Sequence, residues 1–332
     1  METSASGLRT LSQRDVAQAA RRLATEVLRT PVVRNDELDQ LASARLWLKA
    51  ENLQRSGSFK IRGALNALAR LSAAGHRGVV AQSTGNHGIA VAMAARRHGL
   101  RAVLVLPSDA SGAKVRRIQD TGAEVVLVGT ALAEREAVVR GLRDEYKYAV
   151  VDPYEDPAVV AGQGTATAEL LDQVDDAGGT LDAVVVPVGG GSAIAGARLA
   201  VGERDIELVA AEPAAVPALT AALHAGEPVT VASRPTMADG LRPDRIGQLP
   251  FALVHGTVTT VLAMEETAIA DAMRLALECL RLVIEPAAAT ALAGALRLAS
   301  DRPGQYGDIG VLLSGGNVEP QLIGTLSMSA RG

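Results

Sequence analysis

The chain has 332 residues, of which 48% are apolar and only 2% aromatic, and its formal net charge is −4. That length suits about two domains or one large α/β unit, with an aliphatic core and few rings for stacking nucleobases. No basic block is present, which excludes a partner read through its phosphate backbone, and no run reaches the ~18 uncharged apolar residues of a membrane span. The first twelve residues are polar and lack an apolar signal core. Cys279 is the single cysteine, which excludes an internal disulfide and a multi-cysteine metal site. It falls in an apolar stretch that reads as a buried helix. One cysteine fits a reducing compartment, so a cytoplasmic location is expected.

Along the chain, short β-rich apolar runs alternate with stretches of helical period. Strands are expected at 46–50, 79–82, 102–106, 124–128, 183–188, 207–211, 259–263 and 310–313. Helical stretches between them include 87–98, 114–121, 131–146 and 162–174. This alternation implies an α/β fold, with parallel sheets covered by helices on both faces. The evenly spaced units from Val79 to Val151 form one small lobe, 75–155. Asp152-Pro153 and Asp156-Pro157 mark the crossover out of it. The remainder, 1–74 and 156–332, forms a larger lobe. A cleft between the two, at the C-terminal ends of the strands, is the natural ligand site.

Lys60 lies between Phe59 and Ile61, just after Ser56-Gly57-Ser58. A lysine drawn out of water loses proton affinity and becomes an amine nucleophile able to form a Schiff base. The same segment also reads as a helix start, with Ser58 as N-cap and Leu65, Leu68 and Leu71 on one helical face. Three glycine-rich turns accompany it. Val188-Gly189-Gly190-Gly191-Ser192 follows a strand and opens a helix, so its N–H groups can converge on a phosphate. It is neither a Walker loop nor a dinucleotide fingerprint; the alternative is a tight strand–helix turn. Ser83-Thr84-Gly85-Asn86-His87-Gly88 suits a carboxylate, or an ordinary helix cap. His87 has no second histidine at helical spacing, so a metal role is weak. Ser314-Gly315-Gly316-Asn317 ends the last strand and would turn a hydroxyl toward the same cleft, or form a plain turn. Glu212 and Glu285 each precede a proline, and each either caps a helix or faces a site.

Taken in this order, the segments resemble the threonine dehydratase and serine racemase family of pyridoxal-phosphate (PLP) enzymes, of fold type II. The likeness runs from about Asp15 to Glu319. It rests on 51–64, 83–88, Ala161-Gly162-Gln163-Gly164-Thr165, 187–191, Ala211-Glu212-Pro213, Met237-Ala238-Asp239-Gly240, Ile284-Glu285-Pro286 and 313–317. The resemblance implies two parallel-sheet α/β lobes with the active site between them. It implies that Lys60 holds PLP and then takes the substrate α-proton. Phe59 would pack near the pyridine ring, and Asn86 would bond its 3′-oxygen. Gly189, Gly190, Gly191 and Ser192 would hold the phosphate, and Ser314 the pyridine nitrogen. Ser83, Thr84 and His87 would line the substrate carboxylate pocket, with Arg135 a further contact. The implied reaction is β-elimination from a β-hydroxy amino acid, giving a 2-oxo acid and ammonia. A racemase and a β-replacement synthase are the alternatives on the same scaffold, and a homodimer is the family's usual assembly.

The sequence departs from that pattern at several points. Ser192 replaces the usual fourth glycine of the phosphate loop. Thr84 stands where racemases carry serine, the acid/base on the face opposite the lysine; its extra methyl stiffens it. Glu212 matches one carboxylate of the family's divalent-cation site, but the second, six residues on, is Ala218, so no metal is expected. Ala287-Ala288 follow Glu285-Pro286, where a hydroxyl residue and glycine are usual; this reshapes the pocket.

Overall fold

The computed structural model describes residues 11–328 apart from 84, 111, 130 and 131. Among those residues the strands are β1 (Val32–Val33), β2 (Arg45–Ala50), β3 (Gly78–Gln82), β4 (Arg101–Pro107), β5 (Glu124–Val128), β6 (Ala149–Val150), β7 (Ala183–Pro187), β8 (Glu207–Pro213), β9 (Thr260–Met264) and β10 (Asp308–Leu313). They form a six-stranded sheet, β1-β2-β10-β7-β8-β9, and a four-stranded one, β5-β4-β3-β6. All pairings are parallel except the antiparallel β1–β2 edge. The helices are α1 (Gln13–Leu23), α2 (Asp36–Ala42), α3 (Lys60–Ala73), α4 (Asn86–Arg97), α5 (Gly112–Gln119), α6 (Leu132–Tyr146), α7 (Pro157–Asp176), α8 (Ser192–Val201), α9 (Ala218–Ala225), α10 (Gln248–Val254), α11 (Glu266–Leu275), α12 (Pro286–Asp301) and α13 (Pro320–Met328). None of the described helices is long and apolar enough to cross a membrane.

Strand side chains alternate between two cores, as the pleat requires. In the larger sheet Val185, Val209 and Val311 face α12, while Val184, Val186, Leu208 and Leu312 face the α7–α8 side. In the smaller sheet Val79, Ala81 and Leu104 pack toward α3 and α4, and Val80, Val103 and Val105 toward α6. With both faces covered, nearly every position of a central strand must be apolar. This is why the sequence displays the strands as continuous runs.

Helix α3 joins the two sheets. It starts beside the end of β10, yet Ile61, Ala64, Leu65 and Leu68 lie in the core of the smaller sheet. The expected Ser58 cap is not formed. Phe59 occupies the N-cap position with helical backbone, and the buried Ser58 Oγ has no hydrogen-bond partner. Ser58 instead bridges antiparallel to Gly315. Cys279 lies in a π-helical turn and is half-buried, rather than buried in an α-helix.

Two residues beyond Lys60, Arg62 is wholly buried. Its guanidinium bonds both Glu51 oxygens at 2.8 Å, and Glu169 at 2.7 and 2.8 Å. Lys49, also fully buried, reaches the same Glu169 at 2.8 Å, with Thr30 O and Gln173 Oε1 at 2.7 Å. Burial works against the Arg62 charge, but Glu51 and Glu169 outweigh it and hold the guanidinium above its ordinary value. At Lys49 burial prevails over Glu169 and the ammonium is shifted down. Removing one partner of such a cluster leaves an uncompensated charge in the core. Arg62→Met is therefore expected to cost about 3–5 kcal/mol, read as a drop in urea-unfolding free energy.

Candidate active site

A cavity of about 700 Å³ contains Lys60, Asn86, Gly190, Ser192 and Ser314 on its wall. Three turns, far apart in sequence, build it. The first carries Lys60. Gly57 has a positive φ of 75°, and Gly316 N–H donates to its carbonyl at 2.9 Å. Phe59 N–H donates to the Ser314 carbonyl at 3.0 Å. The Lys60 turn and the Ser314 turn are thus stitched together backbone to backbone. Lys60 Nζ lies 2.9 Å from Ser192 Oγ, 3.4 Å from the Pro153 carbonyl and 5.1 Å from the Phe59 ring centroid. Enclosure pushes the amine down to about 8, against the opposing charges of Asp152 and Glu285.

The second turn is Gly189-Gly190-Gly191-Ser192. Its glycines are required by space. An added Cβ would come within 2.9 Å of the Leu241 backbone at Gly189, 2.2 Å of the Tyr154 ring at Gly190 and 2.6 Å of Pro250 at Gly191. Gly191 also has φ of 96° and caps α8. The free N–H groups of the first α8 turn and the Ser192 hydroxyl therefore meet at one point, in a bare backbone cradle of the kind that takes a phosphate.

The third turn opens α4. Gly88 approaches the Ser83 carbonyl so closely that a Cβ would sit 2.1 Å from its oxygen. Ser83 Oγ accepts the Gly85 N–H at 3.2 Å. The N–H groups at the start of a helix suit a carboxylate. His87 is buried, and its Nε2 lies 3.0 Å from the Val151 carbonyl. A carbonyl only accepts, so Nε2 carries the hydrogen, leaving Nδ1 as a buried acceptor without a partner. Burial and the Lys60 charge push this imidazole down to about 3, so it stays neutral. In that tautomer His87 is a wall and an acceptor, and the backbone N–H groups are the donors. Thr84 lies outside the described residues. Arg135 is half-buried on α6 and lines the cavity, donating to the Gly129 carbonyl at 3.4 Å.

Sequence reasoning left Glu285 undecided between a cap and a site. It occupies the N-cap position of α12 without a side-chain cap bond, and its carboxylate accepts from Asn86 Nδ2 at 2.7 and 3.0 Å. Asn317 Nδ2 donates to Asn86 Oδ1 at 2.6 Å and to the Ser56 carbonyl at 2.9 Å. Asn86 is therefore oriented from both ends. Asp152 and Tyr154 also line the cavity, although the sequence offered nothing local to mark them beyond a crossover.

Glu212 lies elsewhere, at the end of β8. It is buried, and one oxygen accepts the Leu219 N–H at 2.9 Å. The other accepts the Thr220 N–H at 3.1 Å and the Thr220 hydroxyl. The start of α9 thus occupies both oxygens, and Ala218 offers only a methyl group. These residues do not fit a divalent-cation site. Among the described residues no group of three or more His, Cys, Asp or Glu could hold a metal ion.

An enclosed lysine beside a bare phosphate cradle is the arrangement that PLP requires. The family model described as pyridoxal-phosphate dependent enzyme matches residues 8–315. The L-threo-3-hydroxyaspartate ammonia-lyase of Saccharomyces cerevisiae is 35% identical over 94% of this chain and 95% of its own length. The L-threonine ammonia-lyase of Thermotoga maritima is 36% identical over 93% of this chain and 76% of its length. The crystal structure of serine racemase from Dictyostelium discoideum superposes with a TM-score of 0.88 at 34% identity, covering 93% of this chain and 99% of that one. The chain belongs to the pyridoxal-phosphate dependent enzymes, and its fold is that of the fold type II members.

With the Lys60 amine held near 8 instead of its ordinary value above 10, trinitrophenylation of apo-protein by trinitrobenzenesulfonate, with loss of sulfite, should show a fast phase rising through pH about 8. Lys60→Ala should remove that phase together with the visible absorbance of bound cofactor. A retained phase would take the role from Lys60.

Proposed function

We propose that this chain is an ammonia-lyase acting on L-threonine or L-serine. In the overall reaction the Cα–H and Cβ–O bonds break, water leaves, and hydrolysis of the resulting enamine gives a 2-oxo acid and ammonia. The carrying observation is the position of Lys60, 2.9 Å from Ser192 at the mouth of the phosphate cradle and directly preceded by the residue that bonds the Ser314 turn. PLP supplies an electron sink for the substrate α-carbon when bound. Lys60 holds the cofactor and then takes the α-proton; with its amine near 8, a substantial fraction is free base at neutral to mildly alkaline pH. Phe59 would pack near the ring, and Gly189, Gly190, Gly191 and Ser192 would hold the phosphate through backbone N–H groups and one hydroxyl. Asn86, fixed by Glu285 and Asn317, presents its amide to the ring oxygen. Ser314 would meet the ring nitrogen with a neutral hydroxyl, a weaker charge partner than a carboxylate. Ser83, Thr84, His87 and the α4 amides receive the α-carboxylate, with Arg135 approaching from α6.

The small lobe, 75–155, closes over the substrate against the large lobe, 1–74 and 156–332, and the protein works as a cytoplasmic homodimer. Relatives named serine racemase support a second reading, in which Thr84 returns a proton to the opposite face of the α-carbon. Purified protein loaded with PLP should convert L-threonine to 2-oxobutanoate and L-serine to pyruvate. Absence of keto acid from every β-hydroxy amino acid tried would sink the lyase reading. D-serine forming faster than pyruvate on a chiral column would replace it with racemisation.

With Glu212 saturated by α9, we expect no divalent cation to bind there. Turnover and melting temperature should be the same in chelator as in excess Mg²⁺ or Ca²⁺. A rise of either with the cation would reverse this.

A further inference from the structure

The segment Asp152-Pro153-Tyr154-Glu155-Asp156 carries the chain from the four-stranded sheet back to α7, and every residue in it has a fixed partner. Asp152 Oδ1 accepts the N–H groups of Tyr154 at 2.9 Å and Glu155 at 2.7 Å, which closes a tight turn. The Pro153 carbonyl faces Lys60 Nζ at 3.4 Å. Glu155 accepts the Gln248 N–H at 2.6 Å and the Leu249 N–H at 3.0 Å, at the start of α10. Asp156 caps α7 through the Ala158 and Val159 N–H groups.

The Tyr154 ring has the most unusual position. One edge faces Gly190, where a Cβ would lie 2.2 Å from Cδ1; the other faces Gly247, where a Cβ would lie 2.8 Å from Cδ2. The two glycines are joined by a hydrogen bond, Gly247 N–H to the Gly190 carbonyl, at 3.1 Å. The ring therefore sits in a slot that exists because both residues lack a side chain. Gly190 is the middle of the phosphate loop. A run of three glycines has the widest backbone freedom available to a chain, and its N–H groups converge only if something holds them. The phenol, pushed up to about 12 mainly by burial, keeps its proton and brings no negative charge to the cradle.

We propose that Tyr154 is a positioning residue for the phosphate cradle, its ring holding Gly190 so that the loop is preorganised for the PLP phosphate. The segment that carries it returns from the four-stranded sheet, so the hold on the cofactor is tied to the placement of that sheet. This rests on the reading of the chain as a PLP enzyme.

The test is PLP titration of apo-protein without substrate, followed by the growth of the visible band. Tyr154→Phe should bind like the wild type, because the ring and not the hydroxyl fills the slot. Tyr154→Ala should weaken binding by about tenfold or more and speed PLP release, at an unchanged far-ultraviolet spectrum, since the loop must then be ordered at the expense of affinity. Gly247→Ala pushes a methyl group against the other edge of the ring, and equally against Glu155 Oε1 at 2.8 Å, and should weaken PLP in the same direction. It also serves if the Tyr154→Ala chain fails to fold. Unchanged PLP affinity in either folded variant, or a Tyr154→Phe loss as large as that of alanine, overturns the role of the ring. Failure of the wild type itself to bind PLP would instead remove the enzyme reading.

Discussion

The buried charge cluster around Arg62 is the constraint on which the site depends. An α-helix turns about 100° per residue, so side chains two positions apart leave it ~200° apart, on nearly opposite sides. With Arg62 fixed between Glu51 and Glu169, Lys60 is turned the other way, into the cavity. An apolar side chain could fill the Arg62 volume, but it would not fix the rotation of α3. Buried ion pairs of this kind are poor sources of net stability and better sources of a unique arrangement. Glu51 lies just after β2 and Glu169 on α7, so the cluster ties the rotation of α3 to the larger sheet and to the helix that covers it. The other face of α3 packs in the core of the smaller sheet.

Around that lysine the protein relies on backbone more than on charge. The phosphate cradle is made of N–H groups and one serine hydroxyl, and the α4 start offers further amides. Two of the carboxylates in the cavity have tasks of their own: Glu285 accepts from Asn86, and Asp152 closes its turn. His87 is kept neutral. Neutral donors aimed by rigid turns suit a reaction in which a proton leaves carbon and charge is drawn onto a ring, because they need no reorganisation as that charge develops.

Much of this was legible in the sequence. Strands buried on both faces read as continuous apolar runs, which is why 183–188 nearly coincides with β7 and 102–106 falls inside β4. The two-residue strands β1 and β6 are too short to carry such a pattern. The glycine turns were visible because close backbone approach leaves little choice of residue. What escaped depends on distant partners. Ser58 has the chemistry of an N-cap, but Phe59 takes that position while Ser58 pairs with Gly315, far away in the chain. Glu285 resembles a cap because it precedes Pro286, and its true partner, Asn86, is 199 residues away. Tyr154 sits in an ordinary-looking crossover, and its importance comes from two glycines that meet it only in three dimensions.

The order of the strands has a consequence for synthesis on the ribosome. The four-stranded sheet uses residues 78–150 without interruption, so it can pair as soon as that stretch has emerged. The six-stranded sheet cannot, because its last strand in the chain, β10, lies between β2 and β7 in its interior. Until β10 has been made, β2 and β7 keep open edges facing a gap. The same late strand delivers Ser314 to the Lys60 turn. A nascent chain therefore carries a finished small sheet and an unfinished large one until residues 308–314 have emerged. In that interval the exposed edges of β2 and β7 are where a chaperone has most to protect.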